Sequence, residues 1–431
     1  MPFETRDAST RRVAVIGGGI SGMGAAYHLS EDHHVVLFEA EPRLGGHART
    51  IIAGKRGDQP VDTGFIVFNY RNYPHLSRLF HDLDVPVAES DMSFGVSIGG
   101  GAMEYGLAGL DTIFAQRRNL FSPSFVGMIR DILKFNKLAE AATRPGYSVG
   151  DLCDELGLGQ WFLNYYLRPF SGAIWSTPTG RITDFPAETM TRFFKNHGLL
   201  GWYTQPQWYT VKGGSIEYVR RLEAAMDARG VDIRLGAPTA GVRRTEFGVQ
   251  VRVTGGEWEA FDEVVFATHS DDTLRLLSDA TGVERTALSS VRYQPNTAVL
   301  HSDESAMPKR RKVWSSWSYV DTGKAPDQPI DLTYWMNSLQ PIPKDDPLFV
   351  TLNRNAPIRD ELIHDETTFR HPVYDAAAIA AQDTIRAING QNSTWFAGAW
   401  MRNGFHEDGL ATAVDVVHGL RNRTALPIAA E

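Results

Sequence analysis

The sequence predicts an α/β chain: a parallel, doubly wound sheet with a second, α+β domain inserted into it in two pieces. Three observations carry that expectation. The chain opens on a short apolar run, a glycine turn, a helix rich in small residues and a second apolar run. A long middle stretch, aromatic and helical in spacing, then breaks the alternation. The chain finally returns to strand, loop and helix at its end.

Val13 to Ile16 form a continuous apolar run, as expected of a parallel strand buried on both faces. Glycines follow, then a small-residue helix, then "HVVLFEA" as the next strand. This is a Rossmann-like βαβ unit. From about Ser124 to Ala142, apolar residues recur at helical spacing (Phe125, Met128, Ile129, Ile132, Leu133), and 161–209 is again aromatic and helix-like. "VKGGSIEYVRRLEAAMDARGVDIRLG" restores glycine turn, helix and strand, and "GVRRTEFGVQVRV" with "EWEAFDEVVFAT" reads as hairpin strands. A segment dense in Trp and Tyr follows, and "STWFAGAWMRNGFHEDGLATAVDVVHGL" is a strand, a loop and a last helix. The expected division is 1–90, 210–285 and 386–431 for the nucleotide-binding side, and 91–209 with 286–385 for the inserted substrate domain.

At 431 residues the chain is long enough for two cores. A net charge of −8 argues against nucleic acid, whose backbone requires a basic surface. One cysteine, Cys153, excludes an internal disulfide and cysteine-rich metal sites. No metal is expected, and a reducing, cytoplasmic compartment is. The polar N-terminus shows no signal peptide, and no run approaches the roughly 18 apolar residues of a membrane span. The 124–142 helix carries Arg130, Lys134 and Lys137 beside its apolar face. That face is either solvated or a peripheral membrane contact.

Gly17, Gly19 and Gly22 give G-x-G-x-x-G: a tight turn, a bare backbone for a pyrophosphate, and close helix–strand packing. Ile20 and Ser21 begin the helix, whose N–H groups and dipole favour phosphate. Glu39 ends the second strand, where a carboxylate accepts from ribose hydroxyls. A bare NAD unit gives no reason for a second glycine pair directly afterwards, in "GGHART".

Arg43, Gly45, Gly46, Arg49 and Thr50 resemble the R-x-G-G-R-x-x-[ST] signature of the flavin amine oxidase and phytoene desaturase superfamily. The resemblance runs through the whole chain. It implies a glutathione reductase-like FAD domain, with the glycine pair near the ribityl and diphosphate of the FAD. Cys153, the one cysteine, lies far from these motifs in sequence, so the FAD is expected to be non-covalent. It also implies Thr63 and Gly64 on a strand beside the flavin, and a valine backbone, Val242, at the adenine. At the C-terminus it implies Gly398 and a helix opened by Glu407 and Asp408, followed by Leu410 and Ala411, against the ribityl and pyrimidine side. His47 stands where the family commonly has arginine; it either donates to the cofactor, faces the flavin ring or satisfies backbone. "LGGHART", "VDTGFIVFN", "YQPNTAVLHSD" and "TYWMNSLQ" resemble, more narrowly, bacterial FAD-dependent oxidoreductases related to the N-terminal flavin domain of plant cyclopropane fatty acid synthases. That implies a long acyl substrate.

The family's amine oxidases hold a water at the flavin with a lysine on a substrate-domain strand. The matching strand, Val291 to Asp303, has none. They also use a tyrosine on the C-terminal loop, and here that loop reads "NGFHEDG", with Phe405 and His406. The expectation is therefore a dehydrogenase or desaturase taking hydride from an apolar, fatty acyl chain. Alternatives are an amine or amino-acid oxidase, and a lipid-binding protein without catalysis. His301 and His406 are the candidate bases; the competing reading makes each a histidine satisfied by hydrogen bonds. Trp175, Trp314, Trp317, Tyr334 and Trp335, with Phe405, either line an apolar substrate tunnel or form ordinary core.

Overall fold

The computed structural model describes residues 10–175, 178–201, 206–321 and 327–425. A five-stranded parallel sheet runs in the order Asp232–Arg234, His34–Phe38, Arg12–Ile16, Glu263–Phe266, Thr394–Phe396. Its strands come from three distant stretches of chain. The inner strands Arg12–Ile16, His34–Phe38 and Glu263–Phe266 are apolar on both sides because helices cover one face, and helices with the hairpin residues Val249, Val251 and Phe261 cover the other. Val13, Val15, Val35 and Leu37 pack with helices Ile20–Leu29 and His406–Ala425 on one face. Ala14, Ile16, Val36 and Phe38 pack with Leu288, Ala378 and Ile385 on the other.

The small residues of the first helix have a packing reason. A Cβ on Gly24 would meet the Leu410 side chain at 2.4 Å, so glycine allows the first and last helices to touch. A Cβ on Gly22 would lie 1.7 Å from the Gly17 carbonyl oxygen, which pins the helix against its own turn.

The inserted domain is a seven-stranded mixed sheet. Its order is Ile363–Val373, Arg292–His301, Phe349–Leu352, Leu332–Trp335, Trp317–Val320, Phe94–Ile98, Met103–Gly106. Helices of 123–196 cover it. Pro123–Ala142 starts at a Ser122 cap, whose hydroxyl accepts from the Phe125 N–H, with proline in the first turn. Leu163–Leu167 is a π-helical turn running directly into Arg168–Trp175. The expected divisions at 285/286 and 385/386 cut through helices Gly282–Ser290 and Ala376–Ile388. Both helices pack in the core of the parallel sheet, which moves those boundaries outward.

Candidate active site

The two glycine motifs form one surface. Gly17 (φ +104°) donates to the Phe38 carbonyl at 2.8 Å, turning the chain off the first strand. Gly45 (φ +112°) donates to the Gly18 carbonyl at 2.8 Å, and Gly19 and Gly45 pair as a parallel bridge. A Cβ on Gly46 would stand 3.1 Å from the Gly19 Cα, and one on Gly19 would point into open space. Gly46 is glycine because it lies backbone to backbone against the first turn, and Gly45 because its Cβ would meet the Ala48 carbonyl oxygen at 2.6 Å. Gly64 closes the cradle: its Cβ would lie 2.0 Å from the His47 carbonyl oxygen.

Side chains fix this loop from behind. Arg43 does not line the cavity. Its guanidinium donates to the carbonyls of Gly46 (3.1 Å), Ala48 (3.2 Å) and Leu44 (3.3 Å). Arg49 pairs with both oxygens of Asp365 (2.5 and 3.0 Å), tying the loop to the inserted sheet. Asp62, fully buried, accepts from Thr50 Oγ1 (2.6 Å), Ser215 N (2.8 Å), Ser215 Oγ (2.7 Å) and Gln340 Nε2 (2.9 Å). Burial pushes its carboxyl up to about 6 against the pull of those donors.

Glu39 borders the cradle, with one oxygen accepting from Gly18 N (2.5 Å) and the other from Glu41 N (2.8 Å). Glu407 and Asp408 do not border it. Glu407 accepts from His75 N and Leu76 N (both 2.9 Å), capping helix Pro74–Asp82 from a distance, and Asp408 accepts from Phe405 N (2.9 Å). Burial pushes these carboxyls up to about 7 and about 6. Both acids shape the helix start and do not face the cavity.

One continuous cavity of about 800 Å³ begins at the cradle. Gly17, Gly19, Ile20, Ser21, Gly45, Gly46, Thr63 and Gly398 line one end. The other end is an apolar arm walled by Ile132, Tyr166, Phe170, Ile174, Trp317 and Leu352. Tyr166, Phe170 and Ile174 repeat every four residues along the π-turn and its helix, a spacing visible in the sequence. The lining contains no lysine among the described residues; its one arginine, Arg370, is paired with Asp271 (2.7 Å) and Asp272 (2.5 Å).

Histidines gather where the ends meet. The His47 ring stacks on Phe369 (4.9 Å between centroids) with His371 at 5.6 Å and His269 at 5.9 Å. Its Nε2 is buried with no hydrogen-bond partner among the described residues. Burial holds His47 down to about 4, and His269, His371 and His406 to about 3, so all are neutral near pH 7. His406 stacks on Phe65 (3.9 Å) and shares a 2.6 Å hydrogen bond with the Tyr218 hydroxyl. It borders the cavity, but its low basicity and occupied Nε2 make it a poor base.

Several expected site residues lie elsewhere. His301 is fully buried inside the inserted sheet: Nδ1 accepts from Asp303 N (3.1 Å) and Nε2 meets Thr351 Oγ1 (2.7 Å). It does not border the cavity: in the paired register His301 shares a face with Phe349 and Thr351, and the cavity-lining Tyr334 and Leu352 lie on the other. Trp175 packs on Phe185 (4.9 Å), and Trp314 on Trp335 (5.4 Å); none of these three tryptophans lines the arm, while Trp317, Tyr334 and Phe405 do. Val242 is fully buried, bridged to Leu277, and stands off the cavity, as do Ala411, Gly22, which faces the Gly17 turn, and Leu410, which packs against Gly24 of the first helix. Phe65, His269, Phe369 and His371 line the site without having been expected. His269 had a signal: it follows the strand "EVVFAT", and ligands gather at the carboxyl ends of parallel strands.

The cradle suits a long dinucleotide: two abutting bare-backbone turns, a helix N-terminus, a bordering carboxylate and an unpartnered histidine nitrogen. Residues 20–405 match the model of the family described as flavin containing amine oxidoreductase. The chain belongs to that family. That is a family of FAD-dependent oxidoreductases, and membership implies FAD as the cofactor. It is 25% identical over 259 residues to the FAD-dependent oxidoreductase oblC of Cochliobolus heterostrophus, covering 58% of this chain and 51% of that one. The chain thus spans about half the length of that curated relative. The fold resembles a CLA-producing fatty acid isomerase from P. acnes (TM-score 0.66, 14% identity, 95% and 98% of the two chains covered). It also resembles cyclohexylamine oxidase from Brevibacterium oxydans (TM-score 0.69, 15% identity, 96% and 99% covered). No described helix is long and apolar enough to cross a membrane.

Proposed function

We propose that this FAD-dependent oxidoreductase acts on an apolar, fatty acyl chain, and that its FAD is held non-covalently. The observation that carries the reading is the single cavity joining the glycine cradle to an apolar arm with no lysine and no free cation among its described lining. An amino acid's carboxylate would call for a cation, and Arg370 is engaged by two aspartates. The narrower resemblance to the flavin domain of cyclopropane fatty acid synthases supports an acyl chain.

Gly17, Gly19, Gly45 and Gly46 would hold the diphosphate against backbone, with Glu39 toward a ribose. FAD, when bound, supplies the hydride acceptor. Tyr166, Phe170 and Leu352 hold the chain by its apolar surface and keep water from the reacting carbon. His47, neutral and with a free Nε2, is placed to take or give a hydrogen bond where cradle and arm meet. Cys153 is buried in the inserted domain's core with its thiol pushed up to about 12, so it does not supply a covalent flavin link. Acid precipitation should release all of the yellow chromophore as free FAD, and mass spectrometry of the native protein should find an acyl lipid. A colourless protein that does not take up added FAD would overturn the cofactor assignment; a co-purified amine would overturn the substrate.

A further inference from the structure

Outside the cavity, exposed apolar side chains gather along residues 110–133 of the described surface. Phe121 is 86% exposed and Leu110 74%, with Leu120 beside them in sequence. They flank two short turns, Leu110–Ile113 and Arg117–Phe121, at the edge of the inserted sheet. Exposed Val126 and Leu133 continue along the outer face of helix Pro123–Ala142, alternating with Arg130 and Lys137.

The same place collects positive charge. Arg117 and Arg118 lie in the turn, and "KRRK", Lys309 to Lys312, comes up beside it. Arg117 pairs with Asp111 at 2.9 Å, and Lys312 pairs with the same aspartate. Arg118 donates to the Ala102 carbonyl, and the Lys309 stem borders Gly101. Asp111, Glu304 and the buried Glu104 are the acids paired with these cations. Six cations against three acids leave the patch positive, in a chain whose net charge is −8.

We propose that this face docks on an anionic lipid bilayer. The bilayer presents a charged layer over an apolar one, which matches cations surrounding Phe121 and Leu110. Nucleic acid lacks the apolar layer, and two copies of this chain meeting through the patch would oppose like charges. The patch also adjoins the cavity. Leu107 and Ala108 line it two to three residues before Leu110, and Ile132 and Asn136 line it from the inner face of the same helix. Docking there would bring a lipid-borne substrate to the arm. The binding itself does not depend on the substrate reading, because the test below measures partition and not turnover.

The test is vesicle flotation of the purified, flavin-loaded protein. Wild type should float with phosphatidylglycerol/phosphatidylcholine vesicles, not with phosphatidylcholine alone, and high salt should release it. Leu110→Ser with Phe121→Ser, and separately Arg117→Gln with Arg118→Gln, should each weaken binding roughly tenfold or more while keeping the flavin. If a variant loses its flavin, the lipid-charge and salt dependence of wild type decide the matter alone. Absence of flotation, equal flotation with neutral lipid, variants that keep flavin and still bind like wild type, or a patch-dependent dimer in light scattering without vesicle binding would overturn the proposal.

Discussion

The two ends of the cavity are built by opposite means. At the cradle, backbone does the recognising: Gly17, Gly45 and Gly46 are bare because main chain meets main chain there, and Gly19 turns its bare Cα to the open space of the cavity. At the arm, side chains do it, and they come from segments as distant as Ile132, Tyr166, Trp317 and Leu352. A backbone site tolerates almost no substitution, since its clashes are with atoms that cannot rotate away. A side-chain site is adjustable, and its changes should alter which substrate fits without unseating the cofactor. The two ends should therefore fail separately under mutation.

The largest effect is expected at Gly22→Ala. The added Cβ would lie 1.7 Å from the Gly17 carbonyl oxygen, so turn and helix must part. Thermal melts should show destabilisation on the order of 4 kcal/mol, and the protein should purify without flavin. His301→Asn probes the inserted sheet behind the arm. Burial holds His301 down to about 4, below the roughly 6.5 of an exposed histidine, so its neutral form stabilises the fold fully above about 6.5. That contribution, up to about 3 kcal/mol, is lost as pH falls from about 6.5 through about 4. Denaturant titrations across that window should show a shallower acid loss in the variant, with kcat at pH 8 little changed. A collapse of kcat in a folded, flavin-loaded variant would return His301 to the chemistry.

Glu39→Ala should weaken FAD binding about ten- to hundredfold, roughly 1.5–3 kcal/mol, measured by flavin fluorescence on dilution. KM for substrate should stay unchanged once FAD is saturating. The smallest effect is expected at Ile174→Phe, which narrows the arm. It should lower kcat/KM for long chains about tenfold relative to short ones and leave FAD content intact.

The same contrast explains what the sequence revealed. The cradle was legible because close backbone approach demands glycine, and glycines at fixed spacing after a strand leave a mark. The pair at 45–46 pointed to a second contact, and the fold supplied the neighbour: the first glycine turn. Glu407 and Asp408 were misleading because an acid at a helix start looks alike whether it faces a ligand or serves a neighbour. Here Glu407 reaches to the N–H groups of His75 and Leu76. The arm was mostly illegible. Alternation along Ile363–Val373 says that Phe369 and His371 share a face, but pairing decides whether that face borders a cavity or a core. Trp314 and Trp335 look like tunnel residues in sequence, yet they pack edge to face on each other at 5.4 Å and 83°.

The central claim is that the cavity brings an acyl chain, and not an amine, to the cofactor held at the glycine cradle. Anaerobic mixing of the oxidised, flavin-loaded protein with an unsaturated fatty acyl chain, a polyamine and an amino acid, each in turn, tests it most directly. The account predicts bleaching of the flavin absorbance by the acyl chain alone, slowed by Ile174→Phe. Rapid bleaching by the polyamine or the amino acid, with acyl chains inert, would contradict it.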